Sequence, residues 1–395
     1  MKTVKLEEVT LSITDGKHGD CEAEDGSGYY FISCKDVHDG IIDYSNARQI
    51  TADSFSEAHK RTRLAPNDIL LTNSGTIGRM ALVQDTPETQ RTTFQKSVAI
   101  IKPDTEKVIP SYLYYKLQNC VLYFINQSNG SAQKNLLLGT MRNFKLDIPE
   151  DLSEQEYIAS LLSAYDELIE NNQKQIKLLE EAAQRLYKEW FVDLRFPGHE
   201  NTPIVDGVPK GWERKTIEEI AEYLNGYAFK PSDWGTSGKP IIKIKELNEG
   251  ITEATPRNSG DEIPSKYLVK AGDILFSWSA TLTAMIWDEE DGLLNQHLFK
   301  VTPKSGVARE FVLQAILYAL DQFANLTTGA TMKHIQRGKL REVFLLVPDE
   351  DKMNEFQNAT EPMRERIINL KRVNSLLSET QNRLLSKLMN GEIEV

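Results

Sequence analysis

The 395-residue chain is poor in the residues that usually announce chemistry. Its three cysteines, Cys21, Cys34 and Cys120, are too few and too odd in number for a disulfide framework. No apolar run reaches membrane-spanning length, and the N-terminal "MKTVKLEEVT" lacks the apolar core of a signal peptide. A cytoplasmic protein with no membrane partner is therefore expected. No Pro-Pro pair occurs, so the Asn/Asp-Pro-Pro-aromatic tetrapeptide of amino-group methyltransferases is missing. No Gly-Lys-Ser/Thr triplet, Gly-x-Ser-x-Gly elbow or His-Glu-x-x-His helix is found either. Pro103-Asp104 and Pro348-Asp349 have no acidic-x-Lys partner on a following strand, which leaves a nuclease carboxylate pair unsupported. No catalytic residue is predicted.

Positive charge is outnumbered: 46 Lys and Arg stand against 58 Asp and Glu, a formal net charge of −12. The deficit is uneven. Residues 1–149 carry 17 basic against 18 acidic side chains and residues 200–349 carry 17 against 21, so much of the acid excess lies outside these blocks. Overall charge does not favour nucleic acid, but its distribution matters more than its sum. With 40% hydrophobic and 26% charged residues, the composition is that of a folded chain of two or three domains. His18, Cys21, Cys34 and His38 echo a zinc-finger spacing in swapped order. The corresponding second-half positions carry neither residue type, Ile244 standing opposite Cys34. The plainer reading is a loop histidine and a strand cysteine facing a core, with no metal.

What the chain does have is an internal repeat of about two hundred residues. "NDILLTNSGTIGRMALV" (67–83) lines up with "GDILFSWSATLTAMIWD" (272–288), "FISCKDV" (31–37) with "IIKIKEL" (241–247), and "LEEV" (6–9) with "IEEI" (217–220). "FQKSVAIIKP" (94–103) matches "NQHLFKVTPK" (295–304) more loosely, and 128–149 runs against 327–348. Each half opens with a mixed block of short strands and turns, continues into a helical stretch and closes on a long helix.

In the first long helix, Ser153 with Glu156 suggests a capping box. Ile158, Leu162, Tyr165, Ile169, Asn172, Ile176, Leu179, Ala183, Leu186 and Trp190 then recur in steps of four and three. The second seam, less regular, runs through Phe356, Thr360, Met363, Ile367, Leu370, Asn374, Leu377, Gln381, Leu384 and Leu388. Each has an asparagine near its middle. A helix of about 37 residues spans roughly 55 Å. Two such helices with apolar stripes most simply pack on each other, antiparallel if the halves are related by a pseudo-two-fold.

The stretch "NSGTIGRMAL" (73–82) has the look of a phosphate-binding glycine loop. Its counterpart, "WSATLTAMIW", replaces Gly75 and Gly78 by Ala280 and Thr283. A cradle that needs glycine for close approach to phosphate would not survive that change. A strand and turn is the better reading, with Asn73, Ser74, Thr76 and Arg79, and Ser279 and Thr281 opposite them, as polar groups at a binding side.

The arrangement resembles the specificity subunit of Type I restriction-modification enzymes over essentially the whole chain. The resemblance is carried by "DGKHG" (15–19), "NGYAFKPSDW" (225–234), "LLNQHLFKV" (293–301), "NGSAQKNL" (129–136) and "TGATMKHI" (328–335), in the same order with the heptad helices. It implies an α+β fold of two tandem mixed α/β target recognition domains, 1–149 and 200–349. Long spacer helices at 150–199 (with a linker) and 350–395 would form an antiparallel coiled coil with pseudo-two-fold symmetry. It implies a non-catalytic subunit reading a bipartite, asymmetric site in double-stranded DNA. Two methyltransferase subunits would bind S-adenosylmethionine and methylate adenine N6. Two motor-nuclease subunits using ATP and Mg would join where the system also cleaves; no cofactor would bind this chain. Relatives serving another phage-defence or methylation-only complex, or a coiled-coil scaffold without DNA reading, are the alternatives.

The candidate DNA contacts are local basic and polar clusters. They are Lys60, Arg61 and Arg63; Lys134 with Arg142 and Lys145; Lys333, His334, Arg337, Lys339 and Arg341; and Lys243 and Lys245, alternating on a strand face. Lys17, His18, Lys230 and Ser232 lie in loops able to reach a groove. The acidic first spacer helix, with Asp166, Glu167, Glu170, Glu180 and Glu181, is a solvated or partner-docking face.

Overall fold

The computed structural model describes residues 1–38, 40–128, 134–279, 281–325 and 337–393. It divides into two compact units, Met1–Asn171 with Asn374–Val395, and Asn172–Val373. The boundary falls inside both long helices, so each unit owns half of each.

In unit 1 a four-stranded sheet is built from β1 (Thr10–Asp15), β2 (Ile69–Thr72), β3 (Met80–Leu82) and β4 (Val98–Pro103), in the order β1-β4-β2-β3. Its central strands are apolar on both faces because both faces are covered. Ile69, Leu71, Ala99 and Ile101 point into one core, whereas Leu70, Val98 and Ile100 point into another. That is the period-two consequence of a pleated strand. The first core is completed by α2 (Pro110–Asn119), through Tyr112, Leu113, Tyr115 and Leu117, and by Leu388 and Met389 of the second long helix. On the other side of the block, α1 (Ala52–Thr62) starts at Thr51, whose hydroxyl accepts from the Ser54 amide.

Unit 2 repeats the plan. Strands β5 (Ala221–Asn225), β6 (Ile274–Ser277), β7 (Thr283–Ile286) and β8 (Leu298–Pro303) run β5-β8-β6-β7. Ile274, Phe276, Phe299 and Val301 face the core shared with α3 (Arg309–Asn325), while Leu275 and Leu298 face the other. The glycine stretch of the first half is the β2–β3 hairpin connection: the Gly78 amide bonds the Thr72 carbonyl at 3.0 Å. Gly78 has φ +96°, and a Cβ there would stand 2.5 Å from Val121 Cγ1. Its glycine is explained by packing and backbone rather than by a ligand.

The long helices run Leu152–Tyr187, with a wider π turn over Lys188–Val192, and Glu350–Met389. Every seam position predicted above is buried or half-buried. Within unit 1 the Gln381 amide donates to the Leu162 carbonyl (3.0 Å) and to Asp166 (2.6 Å), and Asn374 reaches the Ile169 carbonyl (3.5 Å). Within unit 2 Arg366 donates to Gln175 (3.2 Å), and Phe356 packs edge-on against Trp190. Residue numbers rise along one helix as they fall along the other, so the pairing in each unit is antiparallel. The predicted capping box is corrected: the helix begins earlier, and Asp151 caps it by accepting from the Ser153 amide at 2.9 Å. Among the described residues, no helix is long and apolar enough to cross a membrane.

Candidate nucleic-acid interface

At the end of β1 the chain makes a tight approach to the segment entering β4. The Gly16 amide bonds the Val98 carbonyl (3.2 Å), Lys17 bonds Phe94 (2.7 Å), and the Lys96 amide returns to Lys17 (3.1 Å). A side chain at Gly16 would place its Cβ 2.1 Å from the Phe94 carbonyl oxygen, so only glycine fits. The loop after β2 joins this node, because the Asn73 amide bonds Ser97 O at 3.0 Å. The Leu136 amide bonds Asn73 O at 2.8 Å, and Gly75 bonds Lys134 O at 3.3 Å.

Four segments far apart in sequence are thereby brought together. They line a hollow of about 430 Å³ whose polar groups come from Asp15, His18, Asn73, Ser74, Lys96 and Asn135. Asp15 organises it. The Arg61 guanidinium pairs with its carboxylate and carbonyl, and the His18 ring sits 2.9 Å from its other oxygen. Lys17 pairs with Glu57 at 3.1 Å. Asn73 is buried, and its Oδ1 accepts no hydrogen bond among the described residues.

Of the remaining expected contacts in unit 1, Lys60, Thr76 and Lys134 are exposed. Arg79, also exposed, leans on the Cys34 carbonyl at 3.4 Å. Arg63 ends α1 in the left-handed region, φ 43°, with its carbonyl holding Lys102. Arg142 bonds the Ile13 carbonyl at 2.8 Å, which makes it a brace. Cys21 packs with Phe31, Ile50 and Ala58, and burial pushes its thiol above the ordinary value. Among the described residues no three His, Cys, Asp or Glu side chains group as metal ligands.

Unit 2 builds the same node from different side chains. Gly226 bonds Leu298 (3.1 Å), Tyr227 bonds Leu294 (2.8 Å) and Gln296 bonds Tyr227 (2.9 Å). A Cβ on Gly226 would lie 2.1 Å from the Asn295 carbonyl oxygen. Lys96 therefore corresponds to Gln296 and Ser97 to His297, one residue away from the looser alignment predicted from sequence. Trp278 donates to Asn225 at 3.1 Å and lies beside the His297 ring. Ser279 is buried under His297 (3.4 Å to Nδ1), not on the surface as expected, while Thr281 is exposed. Lys230 and Ser232 are exposed in a turn closed by Asp233, whose carboxylate takes the Lys230 amide at 2.7 Å.

The strand placement of Lys243 and Lys245 is overturned. The strand stops at Ile242, and Ile244–Glu249 is a short helix with the Lys243 amide bonded to Glu246 at 3.1 Å. Lys243 lies over the Trp234 ring and Lys245 faces Glu249. Cys34, expected on a strand, sits in the matching turn, because Asp36 accepts from the Ser33 amide at 2.8 Å. An acid three residues on outweighs β-branched propensity at both places. Lys333 and His334 lie outside the described residues; Arg337 opens the turn Arg337–Arg341. Sequence reasoning missed Lys96, Asn135, Trp278, Gln296 and His297. The first and last two were within reach of it, in the repeat that was read one residue out of register.

The family model of the Type I restriction modification DNA specificity domain matches residues 1–181 and again 209–358. The chain belongs to that family. It is 26% identical over 94% of its length to 88% of the Type I restriction enzyme MjaIX specificity subunit of Methanocaldococcus jannaschii. It is 23% identical, with the same coverages, to the MjaVIII specificity subunit of that organism. In fold it is similar to the crystal structure of a Type I restriction-modification S subunit from M. genitalium, with a TM-score of 0.55 and 14% identity over 98% of this chain and 95% of that one.

Proposed function

We propose that the chain is the non-catalytic DNA-reading subunit of a Type I restriction-modification system. Each unit reads one half of a bipartite, asymmetric duplex site. The observation that carries this is the doubled node: one backbone arrangement, ending in exposed polar loops, occurs twice with different side chains. A common scaffold with unlike tips is what two unlike half-sites require.

The acidic balance limits what counterion release contributes to affinity. Partners therefore supply part of the grip. In this reading two methyltransferase subunits bind S-adenosylmethionine and methylate adenine N6, with the base flipped into their own pocket. Motor-nuclease subunits with ATP and Mg join where the system cleaves. Mapping methylated adenines in the source strain with and without this gene tests the reading. A single split motif should lose its methylation when the gene is deleted, and an unchanged methylation map would refute the proposal.

A further inference from the structure

Five backbone hydrogen bonds recur in both nodes. Besides the three pairs above, Gln95 bonds Ile32 O (2.8 Å) where Asn295 bonds Ile242 O (3.1 Å), and Val98 bonds Gln95 O where Leu298 bonds Asn295 O. Residues 96 and 296 thus occupy one backbone position, fixed on both sides by sheet and loop. What differs is the side chain. Lys96 is exposed and borders the hollow that Asn73 and Ser74 also line, and its ammonium makes no hydrogen bond or ion pair among the described residues. Gln296 is half-buried, and among the described residues its side-chain carboxamide has only a 3.5 Å contact with the His297 ring.

We propose that Lys96 and Gln296 are the equivalent base-reading residues of the two units, Lys96 selecting guanine in one half-site and Gln296 adenine in the other. This rests on the reading of the units as DNA readers. The chemistry follows from the groove edges. Guanine offers two acceptors, O6 and N7, to an ammonium that has donors only. Adenine offers one acceptor and one amino donor, which a carboxamide matches with its own pair. Lys17 and Arg61, by contrast, are already occupied by Glu57 and Asp15.

The test is selection of bound sequences from random-sequence duplexes by the methyltransferase complex assembled with the full-length chain, its K96Q variant or its Q296K variant. Wild type should enrich two half-sites, with a guanine that K96Q turns into adenine in one and an adenine that Q296K turns into guanine in the other. Preference at the altered position should change by about 5- to 150-fold, with the opposite half-site untouched. If K96Q instead weakens all sequences equally and lowers the salt slope by about one, Lys96 is a phosphate contact and the proposal falls. Unchanged preferences in both variants, with wild type still selective, overturn it and leave the broader reading standing. A wild-type complex that selects nothing removes both.

Discussion

Arg364, on the second long helix, reaches Glu310 at the start of α3 in a two-pronged contact of 3.0 and 2.9 Å, both side chains within unit 2. The side chains are only 10% and 8% exposed, and Gln314 adds a third bond to the carboxylate at 2.8 Å. Replacing Arg364 by alanine strips a buried carboxylate of its counter-charge, which costs about 3–5 kcal/mol. For a unit of roughly 200 residues that lowers the melting temperature by about 6–20 °C. The assay is favourable because all five tryptophans, Trp190, Trp212, Trp234, Trp278 and Trp287, belong to unit 2. Their fluorescence in a urea titration therefore follows this unit. The double variant E310L/R364M should recover most of the loss, since two apolar side chains remove both desolvation costs. A loss below about 1 kcal/mol in R364A would refute the reasoning, because it would mean that water reaches the pair.

Gly16→Ala and Gly226→Ala each drive a Cβ onto a backbone carbonyl oxygen. Each should cost about 1–3 kcal/mol and abolish selectivity for its own half-site only, read by sequence selection; full selectivity in both variants would disconnect the nodes from reading. Tyr112, Tyr115, Tyr187 and Tyr223 are buried, and burial, joined at Tyr115 by Asp166, holds their phenols well above the ordinary value. The unfolded chain ionises them near pH 10, so the native state then binds more protons. Their contribution is complete below pH 10 and falls above it by about 1.4 kcal/mol per tyrosine per pH unit. Replacing these four by phenylalanine should leave unchanged the phenolate absorbance that the other tyrosines of the fourteen develop near pH 10 in the still-folded chain, and a loss there would contradict their burial.

The long helices and the duplication were legible in the sequence because both rest on periodic patterns. A seam in steps of four and three survives substitution as long as each member stays apolar. The sandwiched strands were legible too, as runs such as Ile69-Leu70-Leu71. The turns at Ser33 and Lys243 were not, since a single side-chain acceptor three residues on decided them against local propensity. The interface was half legible. "DGKHG" and "NSG" pointed to loops, but only backbone pairing brings His18, Asn73, Lys96 and Asn135 around one hollow. Arg61 read as a free cation and proves to be the partner of Asp15. Charge patterning cannot distinguish a reader from a brace.

The central claim is that each unit reads its own half of the site. Exchanging residues 1–149 for the corresponding block of another family member, then mapping the motif methylated by the assembled enzyme, tests it most directly. The account predicts that one half-site changes while the other and the gap between them stay. A change in both halves, or in neither, would contradict it.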